Sequence, residues 1–334
     1  MNRTFFVLIA AVLLIISVAA AQAPSTPQGQ PPSTPQGPAP ATPQNQPSGQ
    51  QPAGPQTPGA PPAQAGQAAP AQKPLAQAKT KEEYDAFNEA VNKTEPPAGE
   101  AAAREFEVKF PQSELLSMLF QQIMTKYQRA DNADKTVEMA RKALQYDADN
   151  IAALVLAATI VSERTRESDI DRDERLNEVT KNAQRAISNV NAGNFRLTTG
   201  ATPEQTQMFK DTVLAWAYGA MGYAELTRNN PPAAEEQLRK AVQTSAGGQE
   251  PIYWYRLALA LDKQKKYTEA LPAADKAVQL AGSNAQIGNL ARAEQDRLRK
   301  LTGGGASGAA PAPGSTGSGG QPAAQKPTAP PKPR

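Results

Sequence analysis

The sequence IYWYRLALALDKQKKYTEALPAADKAVQLAG, residues 252–282, decides the fold. Apolar residues recur at helical spacing on both sides of a polar turn near Lys266. They are Trp254, Leu257, Ala258 and Leu261 before the turn, and Ala270, Ala274 and Ala277 after it. The pattern predicts two antiparallel helices. A pair of this size cannot bury its own apolar face, so it needs similar pairs beside it.

Copies of this pattern occur earlier in the chain. The segment Lys240-Ala241-Val242-Gln243 recurs as Lys276-Ala277-Val278-Gln279, and at the same offset Tyr218 corresponds to Trp254. The alanine of this second-helix signature is found four times, at Ala143, Ala186, Ala241 and Ala277. The copies predict a stack of helix pairs between the first and last of these positions.

These residues resemble the tetratricopeptide repeat family, whose unit of about 34 residues has an aromatic residue, Leu-Gly and a second aromatic before a run of alanines. The resemblance implies an all-α solenoid of about four repeats over residues 113–284. It assigns packing roles to Phe120, Tyr127, Ala143, Ala186, Tyr218, Gly222, Ala234, Ala241, Trp254, Leu257, Ala258, Tyr267, Ala270 and Ala277. The sequence departs from the family in two ways. Ala148 and Gly282 stand where the family has a proline at the end of the second helix, and there are inserts at 164–174 and 189–201.

Further helices are predicted on both sides of the repeats. Residues 80–110 contain two helical patterns and predict a degenerate first pair that begins with a capping box of Thr80 and Glu83. Thr202-Pro203-Glu204-Gln205 predicts another capped start, for a helix long enough to reach Arg228. A last amphipathic helix over 284–301 is expected to close the stack against water.

The ends of the chain have a different composition. Residues 1–21 have a short basic start, an apolar run and a small-residue end, which is typical of a cleaved secretory signal. An uncleaved membrane anchor over residues 5–21 is the alternative. Residues 22–78 are a Pro/Gln/Ala-rich linker with repeats of PSTPQG, and residues 302–334 are a Gly/Pro-rich tail. Both are expected to be disordered, so the folded unit is predicted to span residues 79–301.

Composition excludes several kinds of activity. The 334 residues include no cysteine and no histidine, which excludes disulfides, Cys or His zinc sites and triads that depend on histidine. Six basic residues that lie before residue 81 or after residue 301 account for the net charge of +3, because the remaining chain has 29 basic and 32 acidic residues. A nucleic-acid partner is therefore not expected. The triplet Asp169, Asp171 and Asp173 lacks the Gly of a calcium loop, so we predict no metal, cofactor or catalytic residue.

The resemblance implies protein binding on a concave face lined by the first helix of each repeat. By position, the candidate partner-binding residues are Gln121, Thr125, Gln128, Val155, Thr159, Trp216, Tyr223, Ile252 and Tyr255. Aromatic residues dominate binding hot spots, so Trp216, Tyr223 and Tyr255 are the strongest of these. We therefore expect a non-catalytic scaffold or assembly factor of the cell envelope, in the periplasm if the signal is cleaved.

Two other function classes stay open at this stage. The chain can be a structural cell-wall protein whose Pro-rich ends contact peptidoglycan and whose solenoid is a spacer. It can also be a glycan-modifying enzyme that uses carboxylates alone, which would require two acidic groups about 5 to 10 Å apart in a cleft. The partner and the oligomeric state are not encoded in any pattern recognised here.

Overall fold

The structure, a computed structural model, describes residues 76–195, 197 and 201–303. The signal, nearly all of the linker and nearly all of the tail lie outside these residues. Ala76 and Ala78 are buried against the helices, so packing begins three residues before the expected boundary at residue 79.

Eleven α-helices make up the described part of the chain. They are α1 Lys81–Asn92, α2 Pro96–Lys109, α3 Leu116–Arg129, α4 Ala133–Tyr146, α5 Ile151–Arg164, α6 Arg172–Asn191, α7 Pro203–Thr227, α8 Pro231–Gln243, α9 Pro251–Lys263, α10 Tyr267–Ala281 and α11 Ala285–Leu301. A short 3₁₀ helix, Gly247–Gln249, precedes α9. The insert predicted as loop from residue 189 begins later, because α6 continues to Asn191.

The helices form a stack of antiparallel pairs. Helices α3–α4, α5–α6, α7–α8 and α9–α10 are repeats 1 to 4, preceded by the pair α1–α2 and closed by α11. First helices also pack on first helices, since α5 contacts α7 and α9 contacts α11. The predicted all-helical stack of helix pairs is confirmed.

Local capping explains where several helices begin. The Thr202 hydroxyl accepts a hydrogen bond from the backbone N–H of Gln205, and the Gln205 side-chain oxygen accepts one from the backbone N–H of Thr202. The predicted capping box is therefore present, and α7 runs to Thr227 with Arg228 as its C-cap. At α1, Thr80 accepts from the Glu83 amide. The Glu83 carboxylate, however, accepts from the backbone N–H of Lys79, so this cap is not the reciprocal box that the sequence predicted.

The turns of repeats 1, 3 and 4 share one backbone geometry. Asp131, Asn229 and Lys265 each have a left-handed φ, of 56°, 58° and 62°. In each turn the next residue donates its N–H to a carbonyl five residues back, for example Lys266 to Leu261 at 3.0 Å. This shared geometry makes the three turns equivalent, whereas repeat 2 connects its helices through residues 165–171.

Glycines permit two close approaches at α7. A Cβ at Gly219 would lie 2.2 Å from the ring of Tyr253 in α9, and one at Gly222 would lie 2.5 Å from Leu238 in α8. Tyr253 is fully buried against α7. Helix α7 therefore packs closely against both α8 and α9. A larger residue at either glycine would push the helices apart.

The core has two parts. A larger cluster extends from α1 to Tyr253 in α9, and a smaller one joins the end of α7 to α8, α9, α10 and α11. Helix α5 is buried from Ile151 to Ser162, as its uniformly apolar sequence predicted. Among the described residues, no helix has the length and hydrophobicity that crossing a bilayer requires.

Two polar networks of the same composition connect neighbouring helix pairs. Glu100 in α2 accepts hydrogen bonds from Arg104, Tyr127 and Lys135. Burial raises the pKa of Glu100, but these hydrogen bonds outweigh burial and hold the pKa at about 2. Between repeats 3 and 4, the corresponding Glu, Arg and Lys are Glu235, Arg239 and Lys266.

Candidate functional site

The first helices create the surface on which partner binding was predicted. Helices α5, α7, α9 and α11 lie in sequence along one side of the stack. An ion pair between Glu163 in α5 and Arg256 in α9 spans α7 on this side. Helices α5 and α9 lie on either side of α7 and are linked across it. The stack therefore curves towards this side, which is concave. We call it the concave surface.

Most of the predicted binding residues have little surface for a partner. Gln121, Thr125, Gln128 and Trp216 are only 4–8% exposed. Their neighbours explain the burial: Gln121 accepts a hydrogen bond from Asn150 at 2.8 Å, and Thr125 donates to the Gln121 carbonyl. Val155 and Thr159 are buried as well. These six residues offer a partner little surface, so the binding surface proposed below does not rest on them.

Three predicted residues keep accessible surface. Tyr223, Ile252 and Tyr255 are half-buried and lie on α7 and α9. Tyr223 and Ile252 pack beside the hydrophobic clusters, whereas within the described chain neither cluster includes Tyr255. Burial raises the pKa of the Tyr255 hydroxyl, with a further contribution from the negative charge of Glu294 in α11. Tyr255 of α9 therefore lies near the capping helix α11.

Charged groups surround these tyrosines. The guanidinium of Arg256 lies 4.0 Å from the centroid of the Tyr223 ring, a cation–π contact. Arg297 in α11 pairs with Glu294 and with Asp262 in α9. The concave surface near repeats 3 and 4 is thus a set of half-exposed rings bordered by ion pairs. That combination suits recognition of an apolar segment with polar neighbours.

The residues assigned to packing lie inside or beside the two clusters. Phe120, Tyr127, Gly222, Leu257, Ala258 and the alanines 143, 186, 234, 241, 270 and 277 are buried. Tyr218, Trp254 and Tyr267 are half-buried. The Trp254 indole donates to the Gly248 carbonyl at 3.0 Å, and Lys240 lies over the Tyr218 ring at 5.7 Å. The polar edge of Trp254 and the ring face of Tyr218 therefore each have a polar neighbour at the border of the stack.

Two residues near the surface were missed by the sequence analysis. Tyr253 was not singled out, and it is the ring that fills the space left by Gly219. Arg256 was not singled out either, and it is 8% exposed. A usable signal was present, because a glycine inside a long helix indicates a close approach by some large neighbour.

The acidic insert of repeat 2 is neutralised by neighbouring arginines. Asp173 pairs with Arg172 at 2.9 Å, and Arg175 lies 3.6 Å from Asp169 and 3.9 Å from Asp171. Across the residues that the structure describes, no group of three His, Cys, Asp or Glu side chains is arranged to hold a metal ion.

Comparison with known proteins supports a repeat architecture. Residues 251–284 match the family model described as tetratricopeptide repeat. No curated protein matches the sequence. Among solved structures, one reported as "Functional Characterization of Pseudomonas Aeruginosa pilF" is similar, with 16% identity, a TM-score of 0.39 and coverage of 67% of this chain and 95% of that chain. A similarity this distant says nothing about partners. Residues 251–284 therefore contain a tetratricopeptide repeat, and this repeat is part of an all-helical stack of helix pairs.

Proposed function

We propose that the protein is a non-catalytic scaffold or assembly factor of the cell envelope that binds a protein partner on its concave surface. The observation that carries the proposal is Tyr255, a large ring that is half-buried on a first helix and lies outside both hydrophobic clusters. Tetratricopeptide repeats generally bind protein partners, and an aromatic ring with apolar and charged neighbours is a typical hot-spot residue. Tyr223 and Ile252 extend the surface towards α7.

Envelope location is supported by the sequence alone. The apolar run and small residues of 1–21 indicate export, and the Pro-rich residues 22–78 supply a tether up to about 170 Å long in an extended chain at ~3.1 Å per residue. Such a tether lets the repeat stack reach a partner away from a membrane. A fusion of residues 1–78 to a reporter that is active only outside the cytoplasm tests export, and a silent fusion contradicts it.

Crosslinking in the native envelope locates the binding surface. A photoreactive residue is placed at position 255 of the full-length chain, and in a matched chain at position 170, since Ile170 is fully exposed in the insert of repeat 2. Position 255 is expected to crosslink to a protein that position 170 does not capture. Equal crosslinking from both positions argues against binding on the concave surface.

Affinity then tests the role of the ring itself. With the captured partner purified, Tyr255→Ala is expected to weaken binding about 30-fold, equivalent to about 2 kcal/mol. Ile170→Ala is expected to leave the dissociation constant unchanged. If Tyr255→Ala binds as tightly as wild type, while deletion of residues 22–78 abolishes binding, the structural role of the Pro-rich ends replaces this proposal.

A further inference from the structure

One contact of the concave surface joins helices that a regular solenoid keeps apart. In stacked repeats each unit contacts only its neighbours. Glu163 belongs to repeat 2 and Arg256 to repeat 4, yet their side chains meet, with Arg256 Nη2 3.3 Å from Glu163 Oε1. Repeat 3 lies between them in the stack, so this contact depends on the curvature of three successive repeats.

The arginine of this contact is held from a second direction. Its guanidinium lies against the Tyr223 ring of α7, at 4.0 Å from the ring centroid. The Arg256 and Glu163 side chains are 10% and 18% exposed, so water screens the pair less than it screens a surface salt bridge. The three side chains therefore connect α5, α7 and α9 at one point.

Packing beneath the contact brings α9 close enough for it to form. Tyr253 lies one residue before Trp254 and seats its ring on Gly219, where a side chain would push α9 away from α7. This close approach places Arg256, one helical turn further along, over α7 and within reach of α5. The same approach of α9 to α7 places the Arg256 guanidinium over one face of the Tyr223 ring.

We propose that the Glu163–Arg256 contact is a strap that fixes the curvature of repeats 2 to 4 and covers the ring of Tyr223. Opening the strap relaxes the curvature and uncovers the ring. The curvature part stands without any partner. The consequence for binding rests on the proposed function: a partner reaches the covered face of the Tyr223 ring only after it displaces Arg256, whereas Tyr255 is accessible in the closed stack.

A distance measurement on the isolated full-length chain tests the strap. The protein has no cysteine, so Arg164→Cys and Lys263→Cys place two spin labels on the exposed ends of α5 and α9. Pulsed electron paramagnetic resonance then reports the distance between these first helices. Glu163→Ala and Arg256→Leu, added separately, are each expected to lengthen the mean distance and broaden its distribution.

The matched control removes an ion pair between adjacent repeats. Arg141 in α4 and Glu178 in α6 form such a pair at 2.6 Å, so Glu178→Ala is expected to leave the distance as in wild type. Circular dichroism identifies the variants that keep the helical content. If a folded Glu163→Ala or Arg256→Leu protein keeps the wild-type distance, or if Glu178→Ala lengthens it equally, the strap is excluded. Neither result bears on whether a partner binds Tyr255.

Discussion

Repeats 2 and 4 contain the same two-helix unit but stabilise it by different means. In repeat 4 the helices meet at a short turn with Lys265 in the left-handed region. In repeat 2 they are separated by residues 165–171, where Thr165 donates its hydroxyl to the Val161 carbonyl and Asp169 accepts from the Arg166 amide. Repeat 4 is thus closed by its turn, whereas repeat 2 tolerates an insert at the corresponding point.

Burial explains why repeat 2 tolerates the insert. Its first helix is apolar all round and is enclosed by α4, α6 and α7, so neighbouring helices fix its position without help from the turn. The first helix of repeat 4 still has a half-exposed side, at Ile252, Tyr255 and Leu259. The difference shows that a repeat can keep its geometry without the short turn, provided that neighbouring helices enclose its first helix. The region available for binding is the one that is less enclosed.

The largest effect that separates the two repeats is expected from truncating a leucine in each first helix. Leu156 in α5 is fully buried, so Leu156→Ala is expected to lower the free energy of unfolding by about 3 kcal/mol. Leu259 in α9 is half-exposed, and Leu259→Ala is expected to cost about 1 kcal/mol. Urea unfolding followed by circular dichroism measures both. Equal losses would show that α5 is no more enclosed than α9.

A glycine pair tests the close approach between repeats 3 and 4. Gly219→Ala places a methyl group 2.2 Å from the buried Tyr253 ring, and the overpacking is expected to destabilise the protein by about 2 kcal/mol. Gly288→Ala is the control, since the nearest atoms at that helical position belong to the flexible Arg292 side chain at 3.3 Å. There the gain in helix propensity should stabilise the protein by about 0.5 kcal/mol. A Gly219→Ala protein as stable as wild type would contradict the packing described here.

Acid sensitivity tests the polar network at the junction before repeat 4. Burial raises the pKa of Glu235, but hydrogen bonds from Lys266, Arg239 and Gln264 outweigh it and lower the pKa to about 2, from an ordinary value of 4.5. The unfolded chain therefore binds more protons between these values. Stability contributed by Glu235 is complete above about pH 5 and is lost as the pH falls towards 2.

The measurement is the free energy of unfolding as a function of pH for wild type and Glu235→Gln. The variant is expected to lose about 1 to 2 kcal/mol at pH 7 and to show a shallower decline between pH 5 and pH 2. Glu236→Gln on the same helix is the control, because that carboxylate is 62% exposed and its one ion pair among the described residues is with Lys240 in its own helix. Parallel curves for wild type and Glu235→Gln would rule out this role for Glu235.

The sequence predicted the parts of the fold that local chemistry determines. Helical spacing, the Thr202 cap and the small residues of the second helices gave the stack and the length of α7. The binding surface was predicted less well, because the exposure of Gln121 or Trp216 depends on how far the next repeat wraps over it. At Gln121 the covering residue is Asn150 of repeat 2. Between repeats 3 and 4 the close approach depends on Gly219 and Tyr253, and although the glycine signals a large neighbour, no local pattern identifies a residue 34 positions away.

The smallest expected effect concerns the turn that repeat 4 has and repeat 2 lacks. Lys265 adopts φ 62°, a conformation that strains a residue with a side chain and that glycine adopts freely. Lys265→Gly is therefore expected to stabilise the protein by about 0.5 kcal/mol in thermal unfolding at matched concentration. Asn229→Gly should gain less, because asparagine tolerates the left-handed region.

Asp169→Gly in repeat 2 should be destabilising, since it removes the carboxylate that accepts from Arg166. If all three substitutions shift stability in the same direction, the two repeats do not differ in how their connections are held.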